Sequence, residues 1–321
     1  MRKLGSHLLR AGALLLALAS AAASQDYPSK PVRLLIPFAP GGSVDIVARL
    51  VAAKLGERLG QQVVPDNRAG AAGTIAAELT AKAPADGYTL VILSLAHAVN
   101  PWIYKVNYDP RGFALVASLG NGASVLTANP SVPAATVKEL IALAKRKPGE
   151  YAFAHAGVGS FTHTASALFA MMAGIDVTMV PFKGGGPAMI DVMGGHSHLL
   201  INSYLASVPH VRSGKLRALG VTDTRRTHLL PDVPTIAEAG VPGYQAANWW
   251  GIAAPAGTPQ PIVDKLNREI NAVLAADEVR NQFARDGAVI VPMTPSAFAE
   301  FFAAEKEKWG RVVKQAKIKA E

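Results

Sequence analysis

The chain has 321 residues, of which 50% are apolar and 17% are charged, and it contains no cysteine. This composition supplies a sizeable core and excludes a disordered or collagen-like chain, disulfides and thiolate sites. The formal net charge of +9 alone permits nucleic-acid binding, but part of it lies in an N-terminal segment.

Arg2 and Lys3 precede an apolar run over residues 11–23, which ends in the small residues Ala21–Ser24. A positive start, a short apolar run and small residues are typical of a secretory signal peptide, which we assign to residues 1–24. A membrane anchor is the alternative, but the run is shorter than the roughly 20 residues that a spanning helix needs. The mature chain is therefore expected to be exported.

The first part of the mature chain alternates short apolar runs with amphipathic stretches. Strands are predicted at residues 32–36, 62–64 and 89–93, and helices at residues 44–59 and 71–83. In the first of these helices Val44, Val47 and Val51 recur at steps of three and four. This order predicts parallel strands joined by right-handed crossovers.

A second series of elements begins near Ser124. Strands are predicted at residues 125–127, 151–154, 178–180, 199–201, 216–221 and 248–253, and helices at residues 137–146, 161–172, 187–193 and 209–213. Two helices, marked by Leu266 and Phe302, finish the chain. We predict an α/β fold with two lobes, in which the last helices return to the first lobe. Domain 1 then comprises residues 25–123 and 252–321, and domain 2 residues 124–251.

Four turns rich in glycine or serine open predicted helices, at Pro40–Ser43, Gly70–Thr74, Gly157–Thr162 and Gly184–Pro187. Free N–H groups in a first helical turn, together with the helix dipole, bind a carboxylate or phosphate without any cation. The alternative for any one of these segments is that its glycines only form a tight turn and bind no ligand. Four such turns after strands predict a ligand site. The P-loop motif and the third glycine of a dinucleotide motif are absent.

Ser160 and His163 raise the alternative of an exported hydrolase, although no G-x-S-x-G motif is present. His196 and His198 lack the partner spacing of a metal site, so neither a metal nor a cofactor is predicted. The C-terminal helix is predicted to be basic, with Lys306, Lys308, Arg311, Lys314, Lys317 and Lys319. A solvated face is favoured there over a partner or lipid surface, and aromatic residues for nucleic acid are missing.

The segment Pro37–Asp45 (PFAPGGSVD) resembles the PFxxGGxxD loop of Bug-type receptors, the extracytoplasmic substrate-binding proteins of tripartite tricarboxylate transporters. Further matches follow in the family's order at Tyr27–Pro31, Asn67–Gly70, Ala85–Thr89, His97–Pro101, Gly157–His163, Pro181–Gly184, Gly214–Leu219, Leu230–Thr235, Glu238–Gly240 and Ala254–Pro259. The ordered set covers nearly the whole mature chain and is far more specific than any one motif.

The resemblance implies a type II periplasmic-binding-protein fold with two α/β lobes around a ligand cleft. It also implies a monomeric periplasmic receptor, not an enzyme, which captures a small organic carboxylate and delivers it to a membrane permease. A sensor that docks on a signalling partner is a further alternative. By position, the ligand-binding residues are Ala39, Gly41, Gly42, Ser43, Asp45, Ser94, His97, Gly159, Ser160, Thr162, His163, Lys183 and Gly184.

One departure from the family concerns Asn202, where many relatives carry an aspartate that accepts hydrogen bonds from a ligand amine. Asn202 keeps a donor and an acceptor but removes the charge, and we include it in the site. A dicarboxylate, hydroxy acid or aromatic acid is therefore expected in preference to an amino acid. The side walls of the pocket are expected to come from Phe38, Leu95, Phe161 and Trp250.

Overall fold

The structure is a computed structural model, and it describes residues 27–107, 112–285, 287–316, 318 and 319. The predicted signal peptide, residues 1–24, lies outside the described residues. Within the described ranges, none of the helices combines the length and the apolar character that crossing a bilayer requires.

The first seven elements alternate between strand and helix. They are β1 (Val32–Ile36), α1 (Ser43–Leu59), β2 (Val63–Asn67), α2 (Thr74–Ala81), β3 (Thr89–Ser94), α3 (Leu95–Val99) and β4 (Phe113–Ala128). As predicted, β1 pairs in parallel with both β2 and β3. The predicted stripe of α1 is also confirmed, because Val44, Val47 and Val51 are all buried. The helix ends at Gly60, which has a left-handed φ of 66°.

The rest of the chain continues this pattern with two interruptions, one pair of successive strands and one pair of successive helices. Its elements are α4 (Val137–Arg146), β5 (Ala152–His155), α5 (Phe161–Ala173), β6 (Thr178–Pro181), α6 (Gly185–Met193), β7 (Leu199–Ser203), α7 (Tyr204–Arg212), β8 (Arg217–Val221), β9 (Ala247–Pro255), α8 (Gln260–Ala275), α9 (Asp277–Arg285), β10 (Ala288–Val289) and α10 (Pro295–Gln315). Three helices therefore follow β9 in the described chain, so the prediction of two was wrong.

One sheet with the strand order β2-β1-β3-β9-β4-β7-β5-β6 runs through the molecule. The first half of β4 pairs with β9 and β10, and its second half pairs with β7 and β8. We call the part with β1, β2, β3, β9 and β10 the first lobe, and the part with β5 to β8 the second lobe. The predicted domain boundaries, at residues 123/124 and 251/252, fall inside β4 and β9 and stay a prediction.

The helices after β9 pack on the first lobe. Leu266 and Ile270 of α8 share a core cluster with Val51 and Leu55 of α1. At the rim of this contact, Arg58 Nη2 lies 2.8 Å from a carboxylate oxygen of Glu269. The chain thus leaves the first lobe through β4 and returns to it through β9, which makes these two strands the connections between the lobes.

Candidate functional site

A small cavity with an empty volume of about 370 Å³ lies between the two lobes. The residues that line it are Phe38, Gly42, Ser43, Val44, Ser94, Ala156, Ser160, Phe161, Thr162, Gly185, Asn202 and Asn248. None of these twelve residues carries a formal charge. Any attraction for a charged ligand must therefore come from backbone dipoles and neutral polar side chains.

Two helices direct uncapped N-termini into this cavity. Helix α1 begins after Gly42 and helix α6 begins after Gly184, and neither has a side-chain cap. The N–H groups of a first helical turn have no partner within the helix. A Cβ atom on Gly42 would lie 3.4 Å from Gly185 N, so the two helix ends meet at one end of the cavity. Their dipoles consequently favour a negative group at this point.

Two other helix starts at the cavity are satisfied by the chain itself. In α5, Ser160 Oγ accepts a hydrogen bond from His163 N at 3.2 Å. In α3, the Nδ1 atom of His97 accepts from Ser94 N at 3.1 Å. The open helix ends of α1 and α6 are therefore more available to an anion than those of α3 and α5.

Asn202 supplies a donor beside the two open helix ends. Its side chain is only 2% exposed, and its Oδ1 atom accepts from Ser203 N at 2.9 Å. Its Nδ2 atom is buried and has no protein partner. A Cβ atom on Gly185 would lie 3.3 Å from this Nδ2 atom. Buried amide groups are rarely left unpaired, so Nδ2 is a donor available to a hydrogen-bond acceptor in the cavity.

Asp45 lies behind the cavity and organises the loop before α1. Its carboxylate accepts hydrogen bonds from Gly41 N at 3.1 Å, Arg49 Nε at 3.0 Å and Asn67 Nδ2 at 2.9 Å. Asn67 Nδ2 also donates to Phe38 O at 2.9 Å. Although burial opposes it, these hydrogen bonds hold the pKa of Asp45 below its usual value. The carboxylate is therefore charged, and its hydrogen bonds fix the conformation of the loop before α1.

Three buried histidines lie next to the cavity loops. Burial lowers the pKa of His97 and of His155 to about 4. Burial, together with the neighbouring His155, lowers the pKa of His163 to about 3. The rings of His155 and His163 are 4.4 Å apart, and His163 Nδ1 accepts from Gly159 N at 3.2 Å. All three rings are neutral at pH 7, and His97 and His163 accept from loop backbone.

The contacts of Ser160 and His163 do not form a nucleophile–base pair. The Ser160 hydroxyl bonds to the backbone of His163 and to Thr162 Oγ1, at 3.2 Å and 3.1 Å, while the His163 ring faces Gly159. A hydrolase needs the ring nitrogen within reach of the hydroxyl. Among the residues that the structure describes, no three histidine, aspartate or glutamate side chains gather as a metal site would require.

The structure brings six of the predicted site residues to the cavity wall: Gly42, Ser43, Ser94, Ser160, Thr162 and Asn202. The others lie behind or beside the wall: Ala39, Gly41, Asp45, His97, Gly159, His163, Lys183 and Gly184. Of the expected side walls, Phe38 and Phe161 line the cavity, whereas Leu95 and Trp250 are fully buried away from it.

Sequence reasoning missed Asn248, which is 4% exposed and lies on β9 at the cavity. It also missed Val44, Ala156 and Gly185. The glycine turn at Gly184–Pro187 was the signal for Gly185. Asn248 had no such signal, because tertiary structure brings it to the site: it lies opposite Gly122 in the pairing of β9 with β4, and its Oδ1 atom accepts from Leu95 N at 3.4 Å.

The comparison with known protein families shows to which family the chain belongs. Residues 47–318 match the family described as the tripartite tricarboxylate transporter family receptor. The chain belongs to this receptor family. It is 40% identical to protein BugT of Bordetella pertussis, over 94% of each chain. The Bug-type resemblance of the sequence is thereby confirmed.

Solved structures of receptors confirm the fold. The R. palustris protein Rpa4515, solved with adipate, superposes with a TM-score of 0.89 at 39% identity and covers 92% of this chain and 100% of its own. MatC from Rhodopseudomonas palustris, with bound malate, gives 0.84 at 34% identity, covering 89% and 100%. The two-lobed type II periplasmic-binding-protein fold is thus the fold of this receptor, and its cavity lies between the lobes.

Proposed function

We propose that the protein is a periplasmic solute receptor, which captures a small organic carboxylate between its lobes and delivers it to a membrane permease. One observation carries this proposal: the uncapped N-termini of α1 and α6 and the unpaired Nδ2 atom of Asn202 converge on one uncharged cavity. A carboxylate fills all of these vacant hydrogen-bonding positions at once.

The two helix ends and the amide donor supply a large part of the binding free energy of a carboxylate without a cation. A favourably placed, partly buried helix N-terminus stabilises an anion by up to about 2 kcal/mol. A hydrogen bond to a charged group contributes roughly 1.5–3 kcal/mol. Two helix ends and one amide donor together contribute about 7 kcal/mol at most. Micromolar affinity needs about 8 kcal/mol in addition to the cost of immobilising the ligand, so contacts of the rest of the ligand with the cavity wall supply the remainder.

The residues that line the cavity also indicate which class of ligand the receptor binds. Adipate and malate, which are bound to the two structural relatives, are acids of a size that suits a small cavity. Asn202 provides no negative charge for an ammonium group, and no aspartate or glutamate lines the cavity. A dicarboxylate, a hydroxy acid or an aromatic acid is therefore favoured over an amino acid.

A receptor does not need to catalyse a reaction. The contacts of Ser160 and His163 stabilise a helix end and a loop instead. The Ser160 hydroxyl caps helix α5, and the His163 ring accepts from Gly159 N. The ligand consequently leaves the cavity unchanged, and delivery to a permease is the expected fate of the closed complex.

A thermal-shift screen of the mature chain, refolded to remove co-purified ligand, tests the proposal. The panel holds dicarboxylates, tricarboxylates, hydroxy acids, aromatic acids and amino acids. An acid at 100 times its Kd should add about 2.7 kcal/mol to the free energy of unfolding, which raises Tm by roughly 5 °C. A shift by one group of acids, with no product, supports the receptor. A turned-over substrate, or a shift by amino acids alone, contradicts it.

A further inference from the structure

The two lobes touch at a first contact beside the cavity. Ala39 N, in the first lobe, donates a hydrogen bond to Lys183 O, in the second lobe, at 2.9 Å. Next to it the start of α6 lies against the loop before α1. A Cβ atom on Gly186 would overlap Pro40 O and would lie 3.3 Å from Gly41 Cα. Only glycine at position 186 allows the two backbones to approach this closely.

Gly186 is not needed for the helix itself. It lies in the first turn of α6 and does not have a left-handed φ. Alanine is more favourable than glycine inside a helix by about 1 kcal/mol. The glycine therefore serves the contact between the lobes at the expense of local helix stability.

A second contact lies near the other loop of the cavity. The Tyr104 hydroxyl, in the first lobe, donates to Val158 O, in the second lobe, at 2.8 Å. Beside it, Asn100 is fully buried, and its Oδ1 atom would lie 3.1 Å from a Cβ atom on Gly159. Val158 immediately precedes the segment Gly159–Thr162, three of whose residues line the cavity.

We propose that Tyr104 and Gly186 are positioning residues that set the closed state of the receptor: Tyr104 holds the lobes together, and Gly186 permits their approach. The inference rests on the proposed function, because closure encloses the ligand. Neither residue lines the cavity, so each acts on ligand affinity through the lobes and not through contact with the ligand.

The test compares Tyr104→Phe and Gly186→Ala with two matched controls. Tyr88→Phe removes a hydroxyl that accepts from Ser29 N at 2.8 Å within the first lobe. Gly194→Ala adds a methyl group at the exposed C-terminal end of α6, where the nearest side chain is that of the exposed His196. The probes are adipate and malate, and the readouts are Kd, the dissociation rate and the Tm of the ligand-free protein.

Tyr104→Phe should weaken probe binding about 2- to 12-fold, as expected for one neutral hydrogen bond, mainly through faster dissociation. Gly186→Ala should weaken it more than about tenfold, because the added methyl group blocks the contact. The Tm of both ligand-free variants should stay within about 2 °C of wild type, and both controls should bind like wild type. Wild-type affinity in both test variants overturns the proposal.

A second readout separates this inference from the proposed function. The chain has no cysteine. A double variant with Lys82→Cys in the first lobe and Lys147→Cys in the second lobe can therefore be labelled at these two positions only, and the distance between the labels reports whether the lobes are closed. If neither probe binds wild type, adipate and malate are not ligands of the receptor, and the fraction of closed molecules in the ligand-free protein tests the role of the two residues in closure. A smaller closed fraction in Tyr104→Phe and Gly186→Ala supports the inference. Equal fractions, or a wild type that never closes, overturn it.

Discussion

Replacement of Asn202 by aspartate should weaken binding of a carboxylate ligand about a hundredfold or more. The two side chains have nearly the same shape, and Ser203 N would still donate to the oxygen that it contacts now at 2.9 Å. The change therefore replaces the unpaired Nδ2 donor with a negatively charged oxygen. For two unit charges about 5 Å apart at an effective dielectric constant of about 20, the repulsion is roughly 3 kcal/mol.

Titration calorimetry at pH 7.5 measures this effect, with the acid that gives the largest thermal shift. Asn202→Ala is the matched control, because it removes the donor without adding a charge. It should weaken binding roughly 10- to 160-fold, as expected for one hydrogen bond to a charged group, and Asn202→Asp should bind about a hundredfold more weakly still because of the repulsion. If both variants bind the acid equally well, the carboxylate does not lie beside Asn202. An amino acid that binds wild type tightly would refute the reasoning as well.

Three further predictions concern the support of the site and the core. Asp45→Ala leaves the partners of a buried carboxylate unpaired, so it should lower the free energy of unfolding by about 1–3 kcal/mol and weaken acid binding; unchanged urea unfolding and Kd contradict this. His97, His155 and His163 have pKa values of about 4, 4 and 3 when folded, below their unfolded value of about 6.5. Because the unfolded chain binds protons at a higher pH than the folded chain, the free energy of unfolding should fall as the pH drops from 6.5 to 4. The decrease is up to about 1.4 kcal/mol per pH unit for each histidine, and a free energy of unfolding that is constant over this range refutes the prediction. Gly251→Ala places a methyl group against the ring of Phe298 and should cost about 1–3 kcal/mol, and a urea midpoint equal to that of wild type excludes this.

Local patterns were sufficient for most helices and short strands, but not for β4. The segment Phe113–Ala128 contains Gly120, Asn121 and Gly122, which in a sequence indicate a turn. The structure continues the strand through them, with a register irregularity between Ser118 and Gly120. Pairing with β9, more than a hundred residues later in the chain, stabilises this irregular strand, and no local pattern carries that information.

The glycine turns indicated the open helix ends at Gly42 and Gly184, because backbone chemistry depends on local sequence. The roles of polar residues depended on tertiary packing instead. Asp45, His97 and His163, assigned to the ligand through the resemblance, hydrogen-bond to the backbone of loops that surround the cavity. Whether any of them also contacts the ligand stays a prediction.

In the proposed function, two helix N-termini and one amide hold a carboxylate without a cation. The most direct measurement compares the best-binding acid of the panel with the neutral methyl ester of the carboxyl group, by calorimetry with the mature chain. The ester is larger by one methyl group, and it loses the charge on which helix dipoles act. We predict that the acid binds at least about a hundredfold more tightly, which corresponds to about 2.8 kcal/mol. Equal affinity for acid and ester would show that the helix N-termini do not recognise the charge of the carboxylate.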